Sequence, residues 1–135
     1  MSFQIPVRLL QAARPSVSPA SLAVVAASTA IFTATPFLLR PIADEFGITV
    51  GAAGLISTGQ LAGFVLGSWM AGRFLRPVRW VFLTIGVLGI AANLASALAP
   101  SLAVLTVMRF ASGIALGMAT WFAWQEAFGD DDKTG

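Results

Sequence analysis

Polar and apolar positions do not alternate along this chain; they come in blocks. Charged residues gather in a few short clusters separated by long uncharged stretches. No charge lies between Arg14 and Arg40, and within that stretch residues 21–39 can form a helix. A second uncharged run separates Glu45 from Arg73, with 51–71 as its helical span. A third, from Trp80 to Gln125, contains one charge, Arg109. It is too long for a single crossing of a hydrocarbon core about 30 Å thick and suits two. The break falls at Ala99-Pro100-Ser101, because proline lacks a backbone donor and turns the preceding residue away from helical geometry. The pattern therefore predicts four spans, 21–39, 51–71, 81–99 and 102–124.

The spans are expected to be helices. Inside lipid every backbone N–H and C=O needs a partner within the protein, which leaves helices or closed barrels. Barrel strands alternate lipid-facing and lumen-facing residues, and these runs do not. The fold class predicted is an all-α membrane protein with four transmembrane helices. Composition agrees: 57% of residues are apolar and 10% charged, so there is too little charge to cover a water-soluble surface. With neither Cys nor His, disulfides, thiol chemistry, the usual zinc sets and Ser-His or Cys-His catalysis are excluded. No cofactor, no metal and no enzymatic role are expected, and a net charge of only +2 placed at helix ends gives no nucleic-acid surface.

Residues 1–20 read as a cytoplasmic lead-in broken by Pro6, Pro15 and Pro19. Phe3, Ile5, Leu9 and Leu10 would rest in the membrane interface or belong to a disordered tail. Arg8 and Arg14 before an apolar run resemble a signal peptide, but the run is longer than a usual signal core and three more spans follow, so no cleavage is expected. The acidic tail, 125–135, carries Asp130-Asp131-Asp132, which has neither the alternation nor the glycine turn of a calcium loop and reads as solvated.

Lysine and arginine set orientation. Arg8, Arg14, Arg73, Arg76, Arg79 and Lys133 all fall on one side if the spans alternate, while Arg40 alone, beside Asp44 and Glu45, falls on the other. Both termini are then cytoplasmic, in a plasma (inner) membrane. Trp80 and Trp124 sit at the predicted cytoplasmic ends, where indoles favour the interface.

Association of helices in lipid depends on close approach and polar contacts. Gly59, Gly63 and Gly67 repeat every four residues in the second span, and Gly113 and Gly117 do so in the fourth, giving each a face for packing. Arg109 is the candidate for function. A cation about 10–12 Å inside a helix costs at least ~2.5–3.5 kcal/mol to insert and is expected to face a cavity or a partner. The partners open to it are backbone carbonyls, Gln60, Asn93 and hydroxyls such as Thr33. Gln60 and Asn93, the two amides within the spans, would bridge helices or touch a substrate.

Three stretches resemble the major facilitator superfamily of transporters. Residues 42–50, Ile-Ala-Asp-Glu-Phe-Gly-Ile-Thr-Val, followed by a Gly/Ala-rich helix, look like its first outer loop and second helix. Residues 67–73, Gly-Ser-Trp-Met-Ala-Gly-Arg, continuing to Arg76 and Arg79, resemble its signature between the second and third helices. Residues 107–117, with Arg109, Gly113 and Gly117, resemble its fourth-helix signature. The resemblance covers about 20–125 and implies part of the N-terminal six-helix bundle of that fold. It implies that Arg109 takes part in proton coupling or substrate handling, and that Gly67, Arg73, Arg76 and Arg79 form a cytoplasmic gate loop. One departure is the aspartate that the family places before the basic residues; Ala71, Gly72 or Arg76 stands there instead.

The function this implies is secondary transport of a small solute of unknown identity, with proton coupling an option. Transporters of the family have two six-helix halves with the substrate path between them. Four helices therefore suggest an N-terminal fragment, a truncated reading frame, or a small protein that must oligomerise. Two other classes compete. A dimeric four-helix multidrug exporter needs an acid in its first span, and 21–39 has none. A non-transporting membrane scaffold or partner subunit would use the glycine faces. The preference for Ala, Gly and Arg over Lys fits a GC-rich bacterial genome.

Overall fold

The computed structural model describes residues 18–76 and 78–128. The lead-in before Ser18 and the aspartate run fall outside the described residues. The described chain is four helices and no strand: α1 (Pro19–Phe46), α2 (Val50–Phe74), α3 (Arg79–Ala97) and α4 (Leu102–Phe128). All four are long and apolar enough to cross a membrane. Phe37 is 82% exposed and Trp80 79%, and most other outward side chains are aliphatic. Such a surface is a solvent match for hydrocarbon, not water. The protein is an all-α membrane protein.

Helix α1 begins where Ser18 accepts a hydrogen bond on its side chain from the Ser21 N–H (3.2 Å), with Pro19 in the first turn, where its missing donor is not needed. It then runs well past residue 39. Pro36 and Pro41 lie inside it, because a proline's φ suits a helix and each removes only one backbone bond. The end comes at Gly47, whose left-handed conformation (φ 60°, ψ 35°) lets its own N–H and that of Ile48 reach the Ala43 carbonyl. Three residues later α2 is under way, capped by Thr49, which accepts from the Ala52 N–H (3.2 Å). The stretch 40–46, expected to be loop, is thus the last two turns of α1, and this puts Asp44 and Glu45 on a helix.

At the other end of the bundle α2 gives way to α3 across Leu75 to Val78. Gly47 marks one end of the bundle and Arg76 the other. Helix α3 stops at Ala97, two residues before the predicted limit, and Ser101 opens α4 by accepting from the Val104 N–H (3.3 Å).

Helix α4 is the centre. It packs most extensively on α2, then on α3 and on α1, whereas α1 and α3 do not touch. Helices α2 and α4 run parallel, and their contact is backbone on backbone. A Cβ on Gly63 would collide with the Phe110 carbonyl, on Gly67 with Ile114, on Gly113 with the Gln60 carbonyl and on Gly117 with the Phe64 carbonyl. Ser68 adds a hydrogen bond from its hydroxyl to the Gly117 carbonyl (3.1 Å). Gly59 does not share this contact; nothing lies within 4 Å of the Cβ position there. The buried stripe of α2 is Ala53, Ile56, Gln60, Gly63, Gly67 and Ala71, which follows the 3.6-residue period. A strict spacing of four drifts off that stripe by about 40° per step, which carries Gly59 away from α4.

At the Arg76 end Ile85, Ala119 and Phe122 form the core, with the Phe82 and Phe122 rings edge to face at 6.4 Å. Helix α1 is held more lightly. Phe32 meets Phe64 of α2 edge to face (5.3 Å), and the Ser28 and Thr120 hydroxyls lie 3.3 Å apart. Its first turn is tied to the last turn of α4, where the Glu126 carboxylate accepts from the Ser18 hydroxyl (3.0 Å) and from that of Ser21. A carboxylate at a helix N-terminus also complements the helix dipole. Glu126→Ala is expected to speed amide exchange in residues 19–22 while leaving α2 protected, and Glu126→Gln, which keeps an acceptor, to fall between. Unchanged exchange in Glu126→Ala would mean that the contact does not order α1.

Candidate functional site

Because α1 and α3 do not touch, a gap opens between them at the Gly47 end, with α4 as its floor. It is a cavity of about 490 Å³. From α1 come Leu38, Pro41, Ile42, Glu45 and Phe46. Ser96 and Ala97 of α3 form the opposite wall, and Leu105 and Arg109 of α4 form the floor. The lining is mostly apolar, with one cation and one anion. Both charges are there for local reasons: continuation of α1 through Pro41 carries Glu45 over the gap, and Arg109 lies two turns into α4.

Arg109 is half-buried, and among the described residues no acidic oxygen lies within ion-pairing distance and no hydrogen bond satisfies its guanidinium. The partners expected for it are elsewhere. Asn93 donates to the Gly89 carbonyl of its own helix (2.9 Å), and Thr33 is exposed, donating to the Thr29 and Ala30 carbonyls. Gln60 is 2% exposed beneath the α2–α4 contact and is not part of the cavity lining. The four polar candidates are therefore not one constellation; Arg109 alone reaches the cavity.

Gln60 presents a separate problem. Its Nε2 is buried without a hydrogen-bond partner among the described residues. A buried unsatisfied donor costs about 1–3 kcal/mol, and leucine fills a similar volume without one. Gln60→Leu is expected to raise the thermal unfolding midpoint; a clear fall would show that the amide holds the bundle together.

The gate-loop candidates divide. Arg73 is exposed in the last turn of α2, Arg76 lies in the connection and Arg79 is the first residue of α3, all exposed at the Arg76 end. Gly67 lies nearly two turns away against Ile114, so its role in this structure is packing. Between them, a Cβ on Gly72 would meet the Trp121 indole nitrogen at 3.1 Å. Trp80 and Trp124 lie exposed at the same end of the bundle as these arginines.

Glu45, Glu126 and Ser18 were not singled out by sequence. Ser18 carried a signal, a hydroxyl residue directly before a proline at a helix start. Glu45 carried none, since its position depends on a helix continuing through two prolines.

The fold and cavity define a polytopic helical membrane protein with a charged recess between its helices. Comparison with known proteins adds one relative. The chain is 34% identical over 89 residues, 64% of its length, to a protein of Bacillus subtilis (strain 168) named as a metabolite transport protein, YncC. The match spans 18% of that protein's length. No protein-family model and no solved structure matches the chain.

Proposed function

We propose that the chain is the front part of a secondary transporter of the major facilitator type, moving a small solute across the plasma membrane. The observation that carries this is its 34% identity with a protein named as a metabolite transport protein over 64% of its own length. The cavity supports it: an arginine inside an apolar helix is costly, and such residues serve substrate or ion paths. In this reading the Arg76 end is cytoplasmic, with three exposed arginines and two tryptophans at the membrane surface. Both termini are then cytoplasmic, and the recess at Arg109 opens toward the outside. In this reading the chain serves as a carrier and not as an enzyme, and a full transport cycle of this type uses two six-helix halves.

The natural absence of cysteine makes the test direct. In intact cells, Ile42→Cys is expected to react with a membrane-impermeant maleimide, and Arg76→Cys only after the membrane is opened. Uptake from a pool of small metabolites, followed by mass spectrometry, should then differ between wild type and Arg109→Gln. Labelling of Arg76→Cys from outside would reverse the orientation. Identical uptake profiles would remove Arg109 from the transport path.

A further inference from the structure

We infer that the recess at the Gly47 end binds a small zwitterion with an apolar body, its anionic group on Arg109 and its ammonium group on Glu45. This rests on the transporter reading and narrows its substrate class. Two opposite charges line one cavity, yet no guanidinium nitrogen lies within 4.0 Å of a carboxylate oxygen among the described residues. They stand on different helices, Glu45 on α1 and Arg109 on α4, with Leu38, Ile42 and Leu105 in the same lining.

An ion pair closed on itself would leave no work for a ligand. An open pair leaves two charges facing one apolar-walled recess, a half-buried guanidinium without a partner and an exposed carboxylate, and such a site favours a molecule that brings both partners at once. The guanidinium is a planar fork suited to two oxygens of a carboxylate or phosphate. The carboxylate of Glu45 can accept from an ammonium group. Between them the aliphatic wall accepts a branched or linear side chain and rejects a strongly hydrated one. A volume of about 490 Å³ lies within the range of ~300–1,000 Å³ usual for small-molecule sites.

A solute lacking the anion leaves the half-buried guanidinium unpaired, and one lacking the ammonium group forgoes the contact with the exposed Glu45; these losses are the basis of selection. Amino-acid-like solutes have this chemistry, and so does the ethanolamine phosphate headgroup of a membrane lipid. The shared feature is an anion and an ammonium group a few bonds apart.

The test uses the full chain in nanodiscs of phosphatidylglycerol alone, with radiolabelled L-leucine as the probe. Leucine is expected to bind saturably. Competition by isoamylamine, which lacks the carboxylate, should be weaker by roughly tenfold or more, and competition by 4-methylpentanoate, which lacks the amine, by roughly three- to fivefold. Glu45→Gln should weaken leucine by a similar factor while leaving 4-methylpentanoate unchanged, a pattern that a folding defect would not give. If leucine fails to bind but phosphatidylethanolamine added to the discs protects Ile42→Cys from maleimide, and Glu45→Gln abolishes the protection, the zwitterion is the lipid headgroup. Competition by 4-methylpentanoate equal to that of leucine, with no effect of Glu45→Gln, would overturn the zwitterion and leave a simple anion site, with the transporter reading intact. Absence of both binding and protection would overturn it as well. The metabolite uptake comparison then decides separately whether the transporter reading stands.

Discussion

Replacing Gly67 with leucine should destabilise the bundle by about 3 kcal/mol or more, toward or beyond the upper end of ordinary overpacking, because the added carbons meet backbone. A Cβ at this position lies inside the contact radius of the Ile114 carbonyl, and a helix backbone cannot swing aside as a side chain can. The two helices would have to separate along their length, and with them the matching contact of Gly117 on Phe64 and the Ser68 hydrogen bond. Gly59→Leu is the control: the same residue change, on the same helix, at a position with open space around it. Thermal unfolding in detergent should show a large drop for Gly67→Leu and little change for Gly59→Leu. Equal losses would mean that leucine disturbs α2 wherever it is placed, and that close contact with α4 is not what holds it.

Arg109→Leu is expected to act in the opposite sense. The substitution removes an insertion cost of about 2.5–3.5 kcal/mol and leaves no acid unpaired that was paired before. The variant should insert at least as efficiently as wild type and unfold at the same temperature or higher. Solute binding in the recess should nevertheless be lost. Loss of both stability and binding would instead identify Arg109 as a structural tie between helices. Comparison of the two variants separates residues kept for assembly from residues kept at the expense of assembly.

The four helices were legible because hydrocarbon imposes a coarse rule on composition and length. Their ends were less so. Proline at 41 beside a charged residue is a sound stop signal in water, but α1 overrides it and waits for Gly47. At Gly63, Gly67, Gly113 and Gly117 the four-residue spacing coincides with backbone contact. At Gly59 it does not, since period four and period 3.6 part company over two turns. Arg109 was visible as a charge in an apolar run, but not its surroundings. The recess exists because α1 and α3 leave a gap over α4, a tertiary fact that no local pattern encodes. For the same reason the hydroxyl of Thr33 and the amide of Asn93 could be proposed as its partners, although both are satisfied within their own helices.

The central place of α4 has a consequence for how the protein is made. A ribosome delivers α1, α2 and α3 to the membrane before it, yet α1 and α3 have no contact with each other, and the glycines of α2 have nothing to close upon until α4 arrives. The first three helices must therefore wait in the bilayer as a loosely associated set, with Gln60 and the Gly63–Gly67 face open to lipid or to any passing helix. Packing of these four helices is then decided by the arrival of α4, and a delay at that step would expose the nascent chain to quality-control proteases and to wrong partners with small-residue faces of their own.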